Sequence, residues 1–286
     1  MPDPISSLQN PRIKQAIRLR DASSRRETGL MLIDGIKEIR QAILGGVEIT
    51  ELFVDDRCSS ISHELGLLPN DIPRAKLEHL DQVATPVSSH ILEKIAFGNR
   101  NESIVAIAKQ PSVDLESLLN DDQGLILVID QVEKPGNLGA MVRTADAVGA
   151  SGVLLSDPVC EVWNANAIRA SLGAIFRLPI GVGGSTAILR WLNKRNYQIV
   201  AARVDGLPNY RDFTWSKKVA IVVGSEANGL GHEWNDPSVV AVTLPMRGTV
   251  DSLNVSVTAG ILLYEAGSSQ KVIAKSGPAV PPRPNG

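Results

Sequence analysis

Three glycine-bearing segments in the second half of this 286-residue chain hold the side chains best suited to chemistry. The first runs Lys134-Pro135-Gly136-Asn137-Leu138-Gly139-Ala140-Met141-Val142-Arg143-Thr144. Gly136 and Gly139 permit close backbone approach, and Asn137 suits a helix N-cap. Arg143 sets a cation near the mouth of that helix, an arrangement that suits a phosphate. The second, Val222-Val223-Gly224-Ser225-Glu226-Ala227-Asn228-Gly229-Leu230, places the lone carboxylate of Glu226 between glycines that open the backbone to a ligand. The third, Leu244-Pro245-Met246-Arg247-Gly248-Thr249-Val250-Asp251-Ser252-Leu253-Asn254-Val255-Ser256-Val257, offers Ser252 and Asn254 beside the free N–H groups of a helix start. Each has a plainer reading. The first and third are then ordinary helix caps, and the second is a turn with a solvated Glu.

The elements that must position these segments alternate strand and helix. Leu125–Asp130 is a nearly all-apolar run, as expected of a parallel strand buried on both faces. Asn137–Val148 reads as a helix ended by Gly149, and Gly152–Leu155, Gln198–Ala202, Val219–Val223 and Val239–Leu244 read as strands. Thr186–Asn196 and Leu253–Ala266 complete the pattern as helices. Ligands of such sheets bind outside the carboxyl ends of the strands, where all three segments fall. Earlier in the chain, strands at Leu30–Ile33, Ile49–Val54 and Ser103–Ala108 and helices at Ile36–Leu44, Ile61–Leu67 and Ser88–Ala96 imply a small layered α/β sandwich. The expected division is residues 1–108 as one domain, 109–123 as a polar linker with one helical turn, 124–266 as a second domain, and 267–286 as a disordered Gly/Ser/Pro-rich tail.

Composition narrows the classes. Charge is nearly balanced, with 29 Lys+Arg against 31 Asp+Glu, and 43% of residues are hydrophobic. No apolar run reaches the ~18 residues of a membrane span, and the N-terminus lacks a signal pattern, so a cytoplasmic protein with no membrane partner is expected. Cys58 and Cys160 stand apart, and His63, His79, His90 and His232 form no ligand cluster, so no metal is expected. Locally, Arg12, Lys14, Arg18, Arg20, Arg25 and Arg26 surround the single acid Asp21, a basic stripe sized for several phosphates or else a solvated helix face. Aromatics, at 4%, are too few for a base-stacking platform.

Together and in this order, the three segments resemble the signature motifs of the SpoU (TrmH) family of RNA 2′-O-ribose methyltransferases, in the SPOUT superfamily. N-x-G-x-x-x-R-T is met by Asn137, Gly139, Arg143 and Thr144, and G-x-E-x-x-G by Gly224, Glu226 and Gly229. P-M-x-G-x-x-x-S-L-N-V-S-V is met by Pro245, Met246, Gly248 and Ser252 to Val257. Residues 1–108, with Ile33-Asp34-Gly35-Ile36-Lys37-Glu38, resemble less specifically the RNA-binding domain that often precedes such an enzyme.

The resemblance implies a parallel sheet with a deep trefoil knot within Gly224–Leu253, and a homodimer through the second domain. It also implies S-adenosylmethionine as cofactor, held at Gly224, Leu244, Met246 and Leu253. Arg143, Asn137, Glu226, Ser252 and Asn254 would then serve methyl transfer to a ribose 2′-hydroxyl, with ribosomal RNA favoured over tRNA. Two rivals stand beside it. A phosphate-loop or dinucleotide enzyme would need G-x-x-x-x-G-K-[ST] or G-x-G-x-x-G at a strand end, and neither is present. A catalytically silent RNA-binding protein would keep the domain without the chemistry.

Overall fold

The computed structural model describes residues 4–68, 70–97, 102–115, 124–225 and 229–269. Its first half contains α1 (Pro11–Arg18), α2 (Ala22–Thr28), β1 (Leu30–Asp34), α3 (Ile36–Leu44), β2 (Ile49–Asp55), α4 (Ile61–Glu64), α5 (Arg74–Val83), β3 (Ala84–Val87), α6 (Ser89–Ile95) and β4 (Ile104–Lys109). The strands form a mixed sheet in the order β1-β4-β2-β3, with only the β2–β3 pair parallel. Alternation divides the strand residues between two faces. Leu32, Phe53, Val105 and Ile107 pack with Ile13 of α1 and Ile91, Leu92 and Ile95 of α6. Ile33, Leu52 and Ala106 on the other face pack with Ile39 and Ile43 of α3 and Leu80 of α5.

The second half contains β5 (Gly124–Asp130), α7 (Pro135–Ala147), β6 (Gly152–Ser156), α8 (Ala165–Ala170), β7 (Ile180–Gly183), α9 (Ser185–Lys194), β8 (Gln198–Ala202), β9 (Lys218–Val223), β10 (Val239–Val242) and α10 (Val255–Ser269). Six parallel strands run in the order β10-β8-β9-β5-β6-β7. After β7 the chain returns to the other side of β5, so the order reverses beside that strand. A crevice opens there at the carboxyl ends.

Several sequence expectations shift. The helix expected over Ile61–Leu67 stops at Glu64, because Gly66 turns the chain at φ 58°. The strand expected to reach Leu244 ends at Val242. The last helix passes Ala266 to Ser269, so the tail boundary at 267 is too early; the rest of that tail lies outside the described residues. Both strands that the sequence left unread lie at sheet edges. β3 carries Pro86, which an edge tolerates, and β7 is half glycine. Within the stretch expected as a linker, Gln110 Nε2 donates to the carbonyls of Arg25 (3.2 Å) and Leu30 (2.9 Å), and Val113 O accepts from Val182 N (2.9 Å). The chain between the halves is therefore tied to both of them as far as residue 114, and residues 116–123, with the expected helical turn, lie outside the described residues.

Candidate active site

Two cavities meet at the carboxyl ends of β5, β8 and β9. The larger, about 520 Å³, is bounded by Ala202 and Arg203 after β8, by Val223, Gly224 and Ser225 after β9, and by Leu244, Met246, Ser252 and Leu253. The smaller, about 70 Å³, lies between Ile129 of β5, Lys134, Asn137 and Met141 of the α7 region, and the same Gly224–Ser225 turn. Gly224, Ser225 and Val255 border both.

All four residues expected to hold a cofactor, Gly224, Leu244, Met246 and Leu253, share the larger cavity, and Ser252 joins them. Apolar side chains face the backbone of the Gly224–Ser225 turn, a lining that suits a flat heteroaromatic ring. Asn137, which lines the smaller cavity, meets Asn254, whose Nδ2 donates to Asn137 Oδ1 at 3.4 Å. Asn254 also caps α10, accepting from the backbone N–H of Ser256 at 3.0 Å. Ser252 is not that cap. Glu226 lies outside the described residues.

Arg143 stands apart from both cavities. It is exposed on α7 and has no hydrogen-bond or ion-pair partner among the described residues.

The glycines act differently from the sequence expectation. A Cβ on Gly139 would stand 2.3 Å from the Ala167 carbonyl oxygen and 2.6 Å from Ala170 Cβ, so this glycine lets α8 close on α7 rather than admitting a ligand. A Cβ on Gly136 meets nothing. At Gly224 a Cβ would lie 2.3 Å from the Gly229 carbonyl, so the chain itself fills the space that the missing side chain leaves.

Sequence reasoning missed Asp130 as a site-building residue. It ends β5 fully buried, accepting from Ser156 Oγ (2.6 Å) and from the backbone N–H of Gly231 (2.8 Å). That second bond fixes the far end of the loop that begins at Gly224. A carboxylate closing an otherwise apolar strand was the available signal, since a buried charge must find partners.

Half of the basic stripe is structural. Arg25 is 4% exposed and donates to the carbonyls of Leu19 (2.9 Å) and Arg20 (2.7 Å) and to Glu161 of the second half (2.9 Å). Arg20 donates to the Ala96 carbonyl at 2.6 Å, and Arg12 pairs with Glu51. Lys14, Arg18 and Arg26 stay exposed, Arg26 at 3.5 Å from Glu161. Among the described residues no group of His, Cys, Asp and Glu could hold a metal, and no helix is long and apolar enough to cross a membrane.

Residues 124–264 match the SpoU rRNA Methylase family, and residues 10–106 match the MRM3-like substrate binding domain. The 23S rRNA (adenosine(1067)-2′-O)-methyltransferase of Streptomyces laurentii is 30% identical over 84% of this chain and 87% of its own. A crystal structure of an RNA 2′-O ribose methyltransferase superposes with a TM-score of 0.76 at 33% identity, covering 93% of this chain and 99% of that one. An AdoMet-bound rRNA methyltransferase from Sinorhizobium meliloti gives a TM-score of 0.81 at 28% identity, covering 92% and 97%.

Proposed function

Since the chain belongs to the SpoU rRNA methylase family, we propose that it transfers a methyl group from S-adenosylmethionine to a ribose 2′-hydroxyl of ribosomal RNA. One observation carries this reading: the glycine turn after β9, the Leu244–Leu253 loop and the start of α7 converge on adjoining cavities at one end of the sheet. When bound, S-adenosylmethionine supplies an activated methyl group on a sulfonium, so the chain's task is positioning and electrostatics.

Gly224, Leu244, Met246 and Leu253 would hold the cofactor, largely through backbone groups and apolar contact. Asn137, which lines the smaller cavity, and Asn254, hydrogen-bonded to it, would orient the ribose. Ser252 sits at the border of the larger cavity to assist them, and Glu226 is assigned the same task on sequence grounds. The attacking hydroxyl must lose its proton. A guanidinium keeps its own, so Arg143 serves as a clamp on the neighbouring phosphate and stabilises the developing alkoxide.

The same proposal includes the trefoil knot within Gly224–Leu253, supported by the contact of Gly224 with the Gly229–Leu230 backbone and by the long irregular stretch from Leu244 to Asn254. It includes a cytoplasmic homodimer. The homodimer is supported by Val257 and Tyr264 of α10, 48% and 59% exposed, and by Arg143, exposed and outside both cavities of its own chain. Residues 1–108 are assigned as the RNA-binding domain and residues 124–269 as the methyltransferase domain.

The test is transfer of labelled methyl from S-adenosylmethionine to unmodified ribosomal RNA and to tRNA, with mapping of 2′-O-methyl positions. Label at one ribosomal ribose is expected. Cofactor binding without transfer to either RNA would leave a silent RNA-binding protein instead.

A further inference from the structure

We infer that the Asp34–Arg169 ion pair is a positioning contact that couples the RNA-binding domain to the catalytic helix α7. This rests on the function proposed above. Asp34 ends β1 and is 1% exposed, and Arg169 reaches it from α8, 135 positions later. Arg169 Nε donates to Asp34 Oδ1 at 2.9 Å, and a second guanidinium N–H donates to Oδ2, which gives a two-pronged contact of fixed direction. The same Oδ2 also accepts from the backbone N–H of Phe97 (2.7 Å), and the Phe97 ring lies 5.6 Å from the guanidinium. One buried carboxylate thus gathers β1, the chain after α6, and α8.

From Arg169 the path to the site is short and stiff. Two residues of α8, Ala167 and Ala170, sit against Gly139 so closely that any side chain there would overlap them. Gly139 lies two residues from Asn137 and four from Arg143 on the same helix. A shift of the first domain is therefore passed through Arg169 and α8 to the side chains assigned to the ribose. The Ile33–Glu38 segment, which resembles an RNA-binding-domain motif, is here the docking edge. A Cβ on Gly173 would meet Gln41 of α3 at 2.7 Å, so the backbone of the second domain lies against the helix that this segment begins.

The experiment uses the full chain with Arg169→Gln and, as the conservative variant, Arg169→Lys. Spin labels at Glu78→Cys and Lys194→Cys, in a Cys58→Ser/Cys160→Ser background, report the distance between the domains. Arg169→Gln is expected to widen that distance distribution. It should lower kcat/KM for ribosomal RNA by about a hundredfold, the order expected of a misplacement near 1 Å, and leave S-adenosylmethionine affinity within about twofold. Arg169→Lys should fall between the two. An unchanged distance distribution overturns the inference, as does a widened one with unaltered kcat/KM for RNA. Loss of cofactor affinity in step with activity also overturns it, since that is plain unfolding. If wild type methylates no RNA, the proposed function fails by itself, and the distance measurement still decides whether this pair couples the domains.

Discussion

Arg143 and Gly139 share a helix and call for opposite experiments. Arg143 is exposed and fills no core space, so Arg143→Ala should leave the melting temperature and cofactor affinity unchanged. Methyl transfer should fall by about 100- to 1,000-fold, the usual loss for one charge-stabilising donor; activity within a few-fold of wild type would remove it from the mechanism. Gly139→Ala should act through packing, because its Cβ overlaps Ala167 and Ala170. A loss of about 1–3 kcal/mol in denaturant unfolding is expected, and an unaltered midpoint would show that α8 can retreat. The sequence revealed that position 139 needs glycine but not why. A missing side chain looks the same whether ligand or protein takes the space. Burial pushes the Cys160 thiol up to about 11, so its alkylation at pH 8 should be slower than for a free cysteine.

Among the elements, α1 and α2 show best where sequence and structure part. Six cations in fifteen residues suit a phosphate-binding stripe or a solvated helix face equally. The fold sends Arg12, Arg20 and Arg25 into internal contacts and leaves Lys14, Arg18 and Arg26 outside. Composition cannot tell a phosphate-binding guanidinium from one that satisfies carbonyls. Arg25→Ala should cost about 1–3 kcal/mol, because it leaves the Leu19 and Arg20 carbonyls without their donor, while Glu161 keeps Arg26 at 3.5 Å. Changing Lys14 and Arg18 to Ala should leave stability alone. If they touch phosphates, each should reduce the slope of log K against log salt by about 0.9, measured by fluorescence polarisation. An unchanged slope would move the RNA surface elsewhere.

For the whole molecule, the alternating pattern was legible because buried parallel strands such as Leu125–Asp130 are continuously apolar. The union of the halves was not, because it rests on pairs such as Asp34–Arg169 and Arg25–Glu161 that no local pattern links. That junction should also respond to pH. Glu38 lies beside it, its pKa raised by burial and by Asp34 and Glu102, with Arg169 opposing. A carboxyl raised above its unfolded value binds its proton more tightly in the fold. The resulting stabilisation is present at low pH and fades as pH rises through the folded pKa. Glu38→Gln should therefore raise the melting temperature relative to wild type more at pH 8 than at pH 4, and an equal difference at both would contradict the assignment.

The neighbour relation of β5 and β9 has a consequence for synthesis. Gly124 of β5 pairs with Lys218 of β9, so the central strand emerges from the ribosome long before its partner. During that interval β6 and β7 can add to one side of β5, while the other side remains an unpaired, strongly apolar edge. Such distant pairing slows folding and exposes the nascent chain to wrong partners. Chains truncated just before Lys218 are expected to aggregate, and the ribosome's pace over the α9–β8 stretch becomes a determinant of yield.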